Sequence, residues 1–517
     1  MDRTLLDKEV LCIIDTRQIQ RYIFHSNSLR DAVGGGMLIA HILPDALLNA
    51  ISTVTPQLRP EEYDLRTDPE AEIPYFTDRG IQFQLMTCAA GNAMFLVRTG
   101  ELAGKLIRKI ARYYLDHAYS LNLTAAAVEK TDSLADDVFR LYQKLNALKA
   151  SAEIQEPLGT LPVCISERKT GDPVVDRDAE SGEYISQASA LRRAESRRRT
   201  NVPDMGAIRT TEGKNGGKYR AVIHADGNNI GITIGRILAG AASYEEGIRT
   251  RRKINREIEQ NYAEIVERTL GDLKRYCAEA LGGDDLLFED EFQIVNRAGD
   301  DINCICNAKL AFPFLVFFFN NMKGSVIWQS EELTVPLYDC AGIAFVPETA
   351  DFHTAFELAE ACCSNAKKTA KLKENLRDGL AGNWIDFYVS DEESAPDLDV
   401  LRETYFVTKE GTRLLVRPYS LDPEADDSFV SFRTLLEHIR KYETLAPDLK
   451  REAMHAYVME PPEFLRWLQS WEKKGVDLSG QLGAPFCDDN EKKRYFTWYD
   501  PAVLSDFVPA DLGRYLI

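Results

Sequence analysis

Asp226 closes an apolar run, Tyr219-Arg220-Ala221-Val222-Ile223-His224-Ala225, and the residues after it, Gly227-Asn228-Asn229-Ile230-Gly231, read as a turn that opens a helix. Such a turn presents backbone N–H groups and a helix amino terminus to an anion, beside a carboxylate able to ligate a metal. Further along, Ala298-Gly299-Asp300-Asp301 lies between two strand-patterned runs, 292–297 and 302–307, which sets two acids at a hairpin tip. Adjacent carboxylates repel, and a divalent cation removes the conflict. If the two strands are neighbours in one sheet, Asp226, Asp300 and Asp301 converge. Hard oxygen ligands of that number suit two Mg²⁺ (or Mn²⁺) ions shared with substrate phosphates, which activate a hydroxyl and stabilise leaving pyrophosphate. Asp226, Asp300 and Asp301 are therefore the expected metal ligands and catalytic residues, with Gly227, Asn228, Asn229 and Gly299 against the nucleotide. Asp, Asn and Gly populate turns in any protein, so each motif alone is equally a plain turn; their order on a strand-helix-hairpin plan points to chemistry.

Lys367 and Lys368, at the end of a helix that follows the strand 340–346, are expected to grip a triphosphate as point charges, or else to complement the helix dipole. Gly282-Gly283-Asp284-Asp285 competes with the Gly299 turn, but it directly follows a helix and reads as a glycine C-cap. His224 lies two residues before Asp226 and so points to the same side of the strand, where packing or a hydrogen bond is its expected role. Cys304 with Cys306, Cys362 with Cys363, and the Phe-rich run 312–319 read as core. Arg192, Arg193, Arg197, Arg198 and Arg199 read as a solvated face or mobile loop, with phosphate contact as the alternative.

These residues need elements to carry them. Strand patterns fall at 10–15, 81–88, 93–97 and 121–128, and helical spacing at 40–48, 101–117 and 132–148, which makes an α+β unit with an antiparallel sheet. The pattern fails over 165–217, which reads as a flexible connector. From 219 the order is strand, helical stretch broken near Ala239-Gly240, two strands, helix, strand, helix and strand, repeating the first plan. Beyond 395 the pattern is mainly helical. The expected division is 1–164, 165–217, 218–392 and 393–517.

A chain of 517 residues exceeds one ordinary core. With 62 Lys+Arg against 81 Asp+Glu, its net charge of −19 repels polyanions at long range, so any phosphate site must be local. The apolar run 310–319 is too short for a membrane span of roughly 20 residues and reads as core. The start, Met1-Asp2-Arg3-Thr4, lacks the features of a secretory leader, and ten scattered cysteines without paired C-x₂-C spacing suit a reducing compartment, so the cytoplasm is expected.

Taken in order, several motifs resemble the large polymerase-cyclase subunit of type III CRISPR effector complexes, over about residues 8–390. They are Asp15-Thr16-Arg17-Gln18-Ile19-Gln20-Arg21-Tyr22-Ile23-Phe24, Ser28-Leu29-Arg30-Asp31-Ala32-Val33-Gly34-Gly35-Gly36, the Asp226 turn, Gly299-Asp300-Asp301, and Ala341-Gly342-Ile343-Ala344 with Ala366-Lys367-Lys368. The resemblance implies two ferredoxin-like palm domains, the second catalytic, and a helical carboxy-terminal domain. It implies joining of NTPs, typically ATP, into cyclic oligonucleotides in antiviral defence, with RNA or complex proteins as partners. The sequence departs from the family in three respects. None of its seven histidines precedes an aspartate, so the family's nuclease site is absent; only Cys164 stands near the family's zinc cysteines; and Ala298 and Asn228 replace a glycine and a frequent acid. The first unit's hairpin, Cys88-Ala89-Ala90-Gly91-Asn92, has no carboxylate and is expected to hold an acceptor nucleotide without metal, for example around Gly34-Gly35-Gly36. The rival readings are a catalytically silent palm scaffold and a mononucleotide or diguanylate-type cyclase.

Overall fold

The computed structural model describes residues 3–26, 28–54, 74–89, 91–151, 161–198, 208–213, 216–280, 288–330, 333–372, 375–377, 380–390, 397–422, 429–489 and 491–516. The chain is α+β. Its first unit runs β1 (Val10–Arg17), α1 (Ile19–Phe24), α2 (Leu29–Val54), β2 (Phe83–Ala89), β3 (Asn92–Val97), α3 (Gly100–His117), β4 (Asn122–Glu129) and α4 (Leu134–Ser151). The strands pair antiparallel in the order β2-β3-β1-β4, so the strand that carries Asp15 is central.

A hairpin of β5 (Val174–Arg177) and β6 (Tyr184–Ser186) then leads into α5 (Gln187–Ser196). This corrects the expectation of a flexible connector. Arg192 is fully buried, with Nη1 donating to the Tyr22 carbonyl at 2.8 Å. Arg193 pairs with Asp31 at 2.9 Å, Asp178 at 3.2 Å and Glu183 at 2.9 Å. Arg197 pairs with Asp178, and Arg198 with Glu195 at 2.9 Å. Arg199 lies outside the described residues. The segment is ordered by ion pairs rather than by an apolar stripe, which is why hydrophobic periodicity does not reveal it.

The second unit adds a short β7 (Thr211–Glu212), then β8 (Lys218–Gly227), α6 (Ile230–Ala239), α7 (Tyr244–Ala280), β9 (Phe292–Ala298), β10 (Asp301–Asn307) and α8 (Ala311–Met322). A hairpin of β11 (Val326–Gln329) and β12 (Thr334–Pro336) precedes β13 (Asp339–Pro347) and α9 (Phe352–Ala370). The small hairpin of β14 (Leu376–Arg377) and β15 (Leu380–Ala381) is followed by β16 (Trp384–Val389) and β17 (Tyr419–Ser420). The path β9-β10-β8-β13 repeats the strand order of the first unit, and β16, parallel to β13, and β17 extend it. Helices α10 (Leu398–Tyr405), α11 (Phe432–Glu443), α12 (Pro447–Ala456) and α13 (Pro461–Lys473) belong to the mainly helical remainder.

Alternation along the strands sends residues to two cores, each shared by both palms. Leu11 and Ile13 of β1 and Leu141 and Leu145 of α4 pack in one core with Ile223, Ala225, Tyr262 of α7 and Phe312 of α8. Val10, Cys12, Ile14, α2 and α3 form the other with Val222, Ile305, Ala344 and Phe356 of α9. The Phe-rich run and the four paired cysteines are buried as read.

Helix α2 has the length and apolar content of a membrane span. Its apolar residues, Leu38, Ile39, Ile42, Leu43 and Leu47 among them, are buried in the second of these cores, as expected of a core helix. Gly34-Gly35-Gly36 lie inside this helix, where backbone N–H groups are committed to the helical ladder and cannot take a phosphate, contrary to the sequence expectation. They permit close packing instead. A Cβ on Gly34 would collide with the Arg192 carbonyl, and one on Gly36 would lie 2.9 Å from the Val295 carbonyl. Gly34→Ala is thus expected to lower stability by about 1–3 kcal/mol, read as a lower urea midpoint at unchanged slope. A midpoint equal to wild type would show that α5 yields freely.

Candidate functional site

The antiparallel register places Ala225 opposite Ile302 and Asp226 opposite Cys340. The end of β8, the β9–β10 turn and the start of β13 therefore meet at one edge of the sheet. Gly299 takes φ +64 in that turn, a backbone conformation glycine adopts without strain. A Cβ on Gly227 would lie 2.9 Å from Asp300 Oδ2, so this glycine lets the hairpin tip close on the strand end. Asp226, Asp300 and Asp301 do converge.

Asp339, which sequence reasoning missed, joins them. It is the first residue of β13, opposite Gly227, and is fully buried. Its Oδ1 accepts from the Tyr262 hydroxyl, its backbone N–H donates to Asn383 Oδ1 at 2.9 Å, and its Oδ2 has no partner. Burial holds the Asp339 carboxyl well above the usual range, and Asp300 and Asp226 add to the effect against the Tyr262 hydrogen bond. Burial, then the neighbouring Asp226 charge, push Asp300 up to about 7. Asp301 is also raised, by burial first, although His224, Asn303 and Gln20 act in the other direction.

Lys367 is the cation of the group. It donates to Asp226 and to the Gly227 carbonyl, the latter at 2.9 Å. Burial works against its ammonium, but Asp226 outweighs that and holds it above the ordinary lysine range. Lys368, one residue on, turns away and pairs with Asp399 of α10 at 3.0 Å, 65% exposed. The structure thus brings Lys367 to the carboxylates and leaves Lys368 outside. Asn228 is turned inward: its Nδ2 donates to the Gly382 carbonyl at 2.8 Å and its backbone N–H to the Tyr338 carbonyl at 2.7 Å. Asn229 takes φ 58 at the N-cap of α6 and makes no side-chain cap, so no side chain closes the first turn of that helix. His224 Nδ1 is 2.8 Å from Asn303 Oδ1 and its ring meets Phe356 edge-on, the packing role expected of it. Gly282-Gly283-Asp284-Asp285 lie outside the described residues.

The first palm carries the same frame without the acids. Asp15 lies two residues before the end of the equivalent strand and pairs with Lys149 of α4 at 2.6 Å, as Asp226 pairs with Lys367 of α9. Asn92, opposite Ala89, stands where Asp301 does opposite Ala298, so Gly91, at φ +76, takes the place of Asp300. Gln18, at φ 56, takes the N-cap position of α1 without a side-chain cap, as Asn229 does at α6.

The donor chemistry fits a divalent cation: hard oxygens crowded against one another, with an orphaned oxygen on Asp339 and Lys367 paired with Asp226. No group of three or more His, Cys, Asp or Glu side chains among the described residues is already arranged to hold one. Binding would require Lys367 to leave Asp226.

No protein-family model and no curated protein sequence matches this chain. Solved structures do. A Csm1–Csm4 cassette in complex with pppApApA aligns over 97% of this chain and 69% of that one, at 14% identity and a TM-score of 0.51. The same cassette in complex with cA3 aligns over 97% and 70%, at 13% identity and a TM-score of 0.50. The fold is that of Csm1. The structure therefore has the palm architecture that the sequence resemblance implies, and Csm1 shares it over about seven-tenths of its own length.

Proposed function

We propose that this chain is a nucleotidyltransferase that joins ATP into cyclic oligonucleotides at the second palm. The observation that carries the reading is the convergence of Asp226, Asp300 and Asp301 with Lys367 at the edge of a palm-type sheet. The adenine ligands bound by the Csm1–Csm4 cassette support ATP as the substrate. By the same likeness the chain would work in a cytoplasmic defence complex beside a Csm4-like subunit and RNA. In the reaction a ribose hydroxyl of one nucleotide attacks the α-phosphorus of another; the new P–O ester forms, the bond to pyrophosphate breaks and the hydroxyl loses its proton.

Asp226, Asp300 and Asp301 would hold two Mg²⁺ or Mn²⁺ ions. Bound there, such ions supply polarisation of the hydroxyl and charge neutralisation at the leaving pyrophosphate. Lys367 exchanges Asp226 for the triphosphate when nucleotide enters, and the uncapped first turn of α6 offers backbone N–H groups to the same phosphates. The first palm, with its parallel frame, holds and orients the second nucleotide, a contribution through positioning. Incubating the pure chain with all four NTPs and Mg²⁺ or Mn²⁺, followed by mass spectrometry, tests the reading: adenylate rings are expected, and a cyclic mononucleotide or a guanylate dimer would replace it with an ordinary cyclase.

One observation favours a catalytically silent scaffold. Lys367 already neutralises Asp226, and no acidic triad is preformed among the described residues. Absence of product in the NTP incubation would decide for the scaffold; if product forms, two mutants test the role of Lys367. Lys367→Ala is expected to raise the KM for ATP on the order of tenfold with a smaller change in kcat, because a point charge binds ground state and transition state alike. Lys368→Ala is expected to leave both unchanged, since its partner is Asp399. Equal effects of the two would return Lys367 to a helix-dipole role.

A further inference from the structure

Gln20 belongs to α1 in the first palm, yet its Nε2 donates to Asp301 Oδ2 in the second palm at 2.5 Å. The other Asp301 oxygen accepts from Asn303 Nδ2 at 2.8 Å, with His224 Nδ1 3.5 Å away. Both carboxylate oxygens are thus held by amides, and each keeps lone-pair capacity for a further ligand. Gln20 Oε1 is buried and has no partner. Flipping the amide would not relieve that orphan, because it would set Oε1 against the carboxylate and lose the charge-assisted hydrogen bond. The carboxylate therefore dictates the orientation of the amide.

The helix that bears Gln20 is itself fixed to the second palm. Phe24 stacks on Phe356 of α9 with ring centroids 3.8 Å apart at 19°, and meets Phe352 of the same helix edge-on at 5.3 Å. Helix α9 also carries Lys367. Any separation of the palms would withdraw Gln20 from Asp301 and disturb the helix that supplies the lysine.

We propose that Gln20 is a positioning residue through which the first palm holds the Asp301 carboxylate ready for a cation, so that the centre is complete only while the palms are closed on each other. The proposal rests on reading Asp226, Asp300 and Asp301 as the cation-binding centre. It gives the first palm, whose own hairpin lacks carboxylates, a direct hold on the chemistry of the second.

The test compares Gln20→Met, which keeps the volume and removes the donor, with Gln20→Asn, which keeps the amide and shortens its reach. Asn255→Ala is the control: it removes another hydrogen bond between the palms, from Asn255 Nδ2 to Thr87 Oγ1, without touching Asp301. Mn²⁺ binding is followed by paramagnetic resonance in the absence of nucleotide, together with kcat, the KM for ATP and the Tm. Both Gln20 variants are expected to bind Mn²⁺ on the order of tenfold more weakly, as loss of an outer partner of a metal ligand usually does. Their kcat should fall at low Mn²⁺ and recover at high Mn²⁺, with an unchanged KM for ATP and a Tm near wild type. Asn255→Ala should match wild type in Mn²⁺ binding. Unchanged Mn²⁺ affinity in folded Gln20→Met and Gln20→Asn, or an equal loss in Asn255→Ala, overturns the proposal. An active wild type with normal Gln20 variants sinks the role of Gln20 and leaves the enzyme reading standing. An inactive wild type whose Mn²⁺ binding depends on Gln20 does the reverse, and a wild type that binds no Mn²⁺ overturns both.

Discussion

Asp300→Ala combined with Asp301→Ala is expected to reduce product formation on the order of 10²-fold or more while the chain stays folded. Transition-state charge stabilisation by a bound cation is worth several kcal/mol, and each 1.4 kcal/mol lost is about tenfold in rate. The fold should survive because the two residues sit at a turn and the first position of a strand, outside both apolar cores. Removing Asp300 also relieves its repulsion with Asp226, which offsets part of the cost of the hydrogen bonds that Gln20 and Asn303 lose with Asp301. Asp284→Ala with Asp285→Ala is the matching control, expected to be nearly silent. Near-normal turnover by the Asp300/Asp301 mutant, or inactivity of the Asp284/Asp285 mutant, would move the centre to the other acidic pair.

The strand-end place of Asp226 and the hairpin-tip place of Asp300 were legible in the sequence because both signals are local, whereas their convergence rests on the pairing of β8 with β10. An apolar run ends in an acid, and a hairpin needs a turn between two alternating segments. Asp339 was not legible: it begins a strand like any other, and only the pairing of β13 with β8 brings it opposite Gly227. Lys367 and Lys368 were inseparable by type. Successive residues on a helix diverge by about 100°, so only one could face the carboxylates, and the sequence does not say which. Gln20 stood in a recognisable motif whose target lies in the other palm. Arg192 and Arg193 read as solvated because charge alone carries no sign of burial, and their counter-ions Asp31, Asp178 and Glu183 are scattered. Long-range register and ion pairing, not local propensity, account for what stayed hidden.

Asp300→Asn, measured in chelator, is expected to make the chain more stable at pH 8 and no more stable near pH 4, the opposite of what removing a structural carboxylate would do. The groups that act on Asp300 are Asp226 from β8, Asp339 from β13, Lys367 from α9 and the Tyr262 hydroxyl from α7. Burial and the Asp226 charge outweigh Lys367 and raise the folded carboxyl to about 7, above its unfolded value. Between the two values the native state binds the extra proton, so the stability it contributes is present at low pH and is lost as pH rises through about 7. Above that, the folded chain carries a charge that the site disfavours. Asparagine has the same shape and no charge to lose, so it removes a penalty on the order of 1–3 kcal/mol once screening at a half-buried carboxyl is allowed for. Urea midpoints of wild type and Asp300→Asn should coincide near pH 4 and separate by pH 8, with the mutant higher. Added Mg²⁺ should raise the wild-type midpoint at pH 8 more than the mutant's, because the cation supplies the balance that asparagine no longer needs. A mutant less stable than wild type at pH 8 would mean that Asp300 is held by favourable contacts, and that the carboxylates at this edge are a structural network and not a centre awaiting a cation.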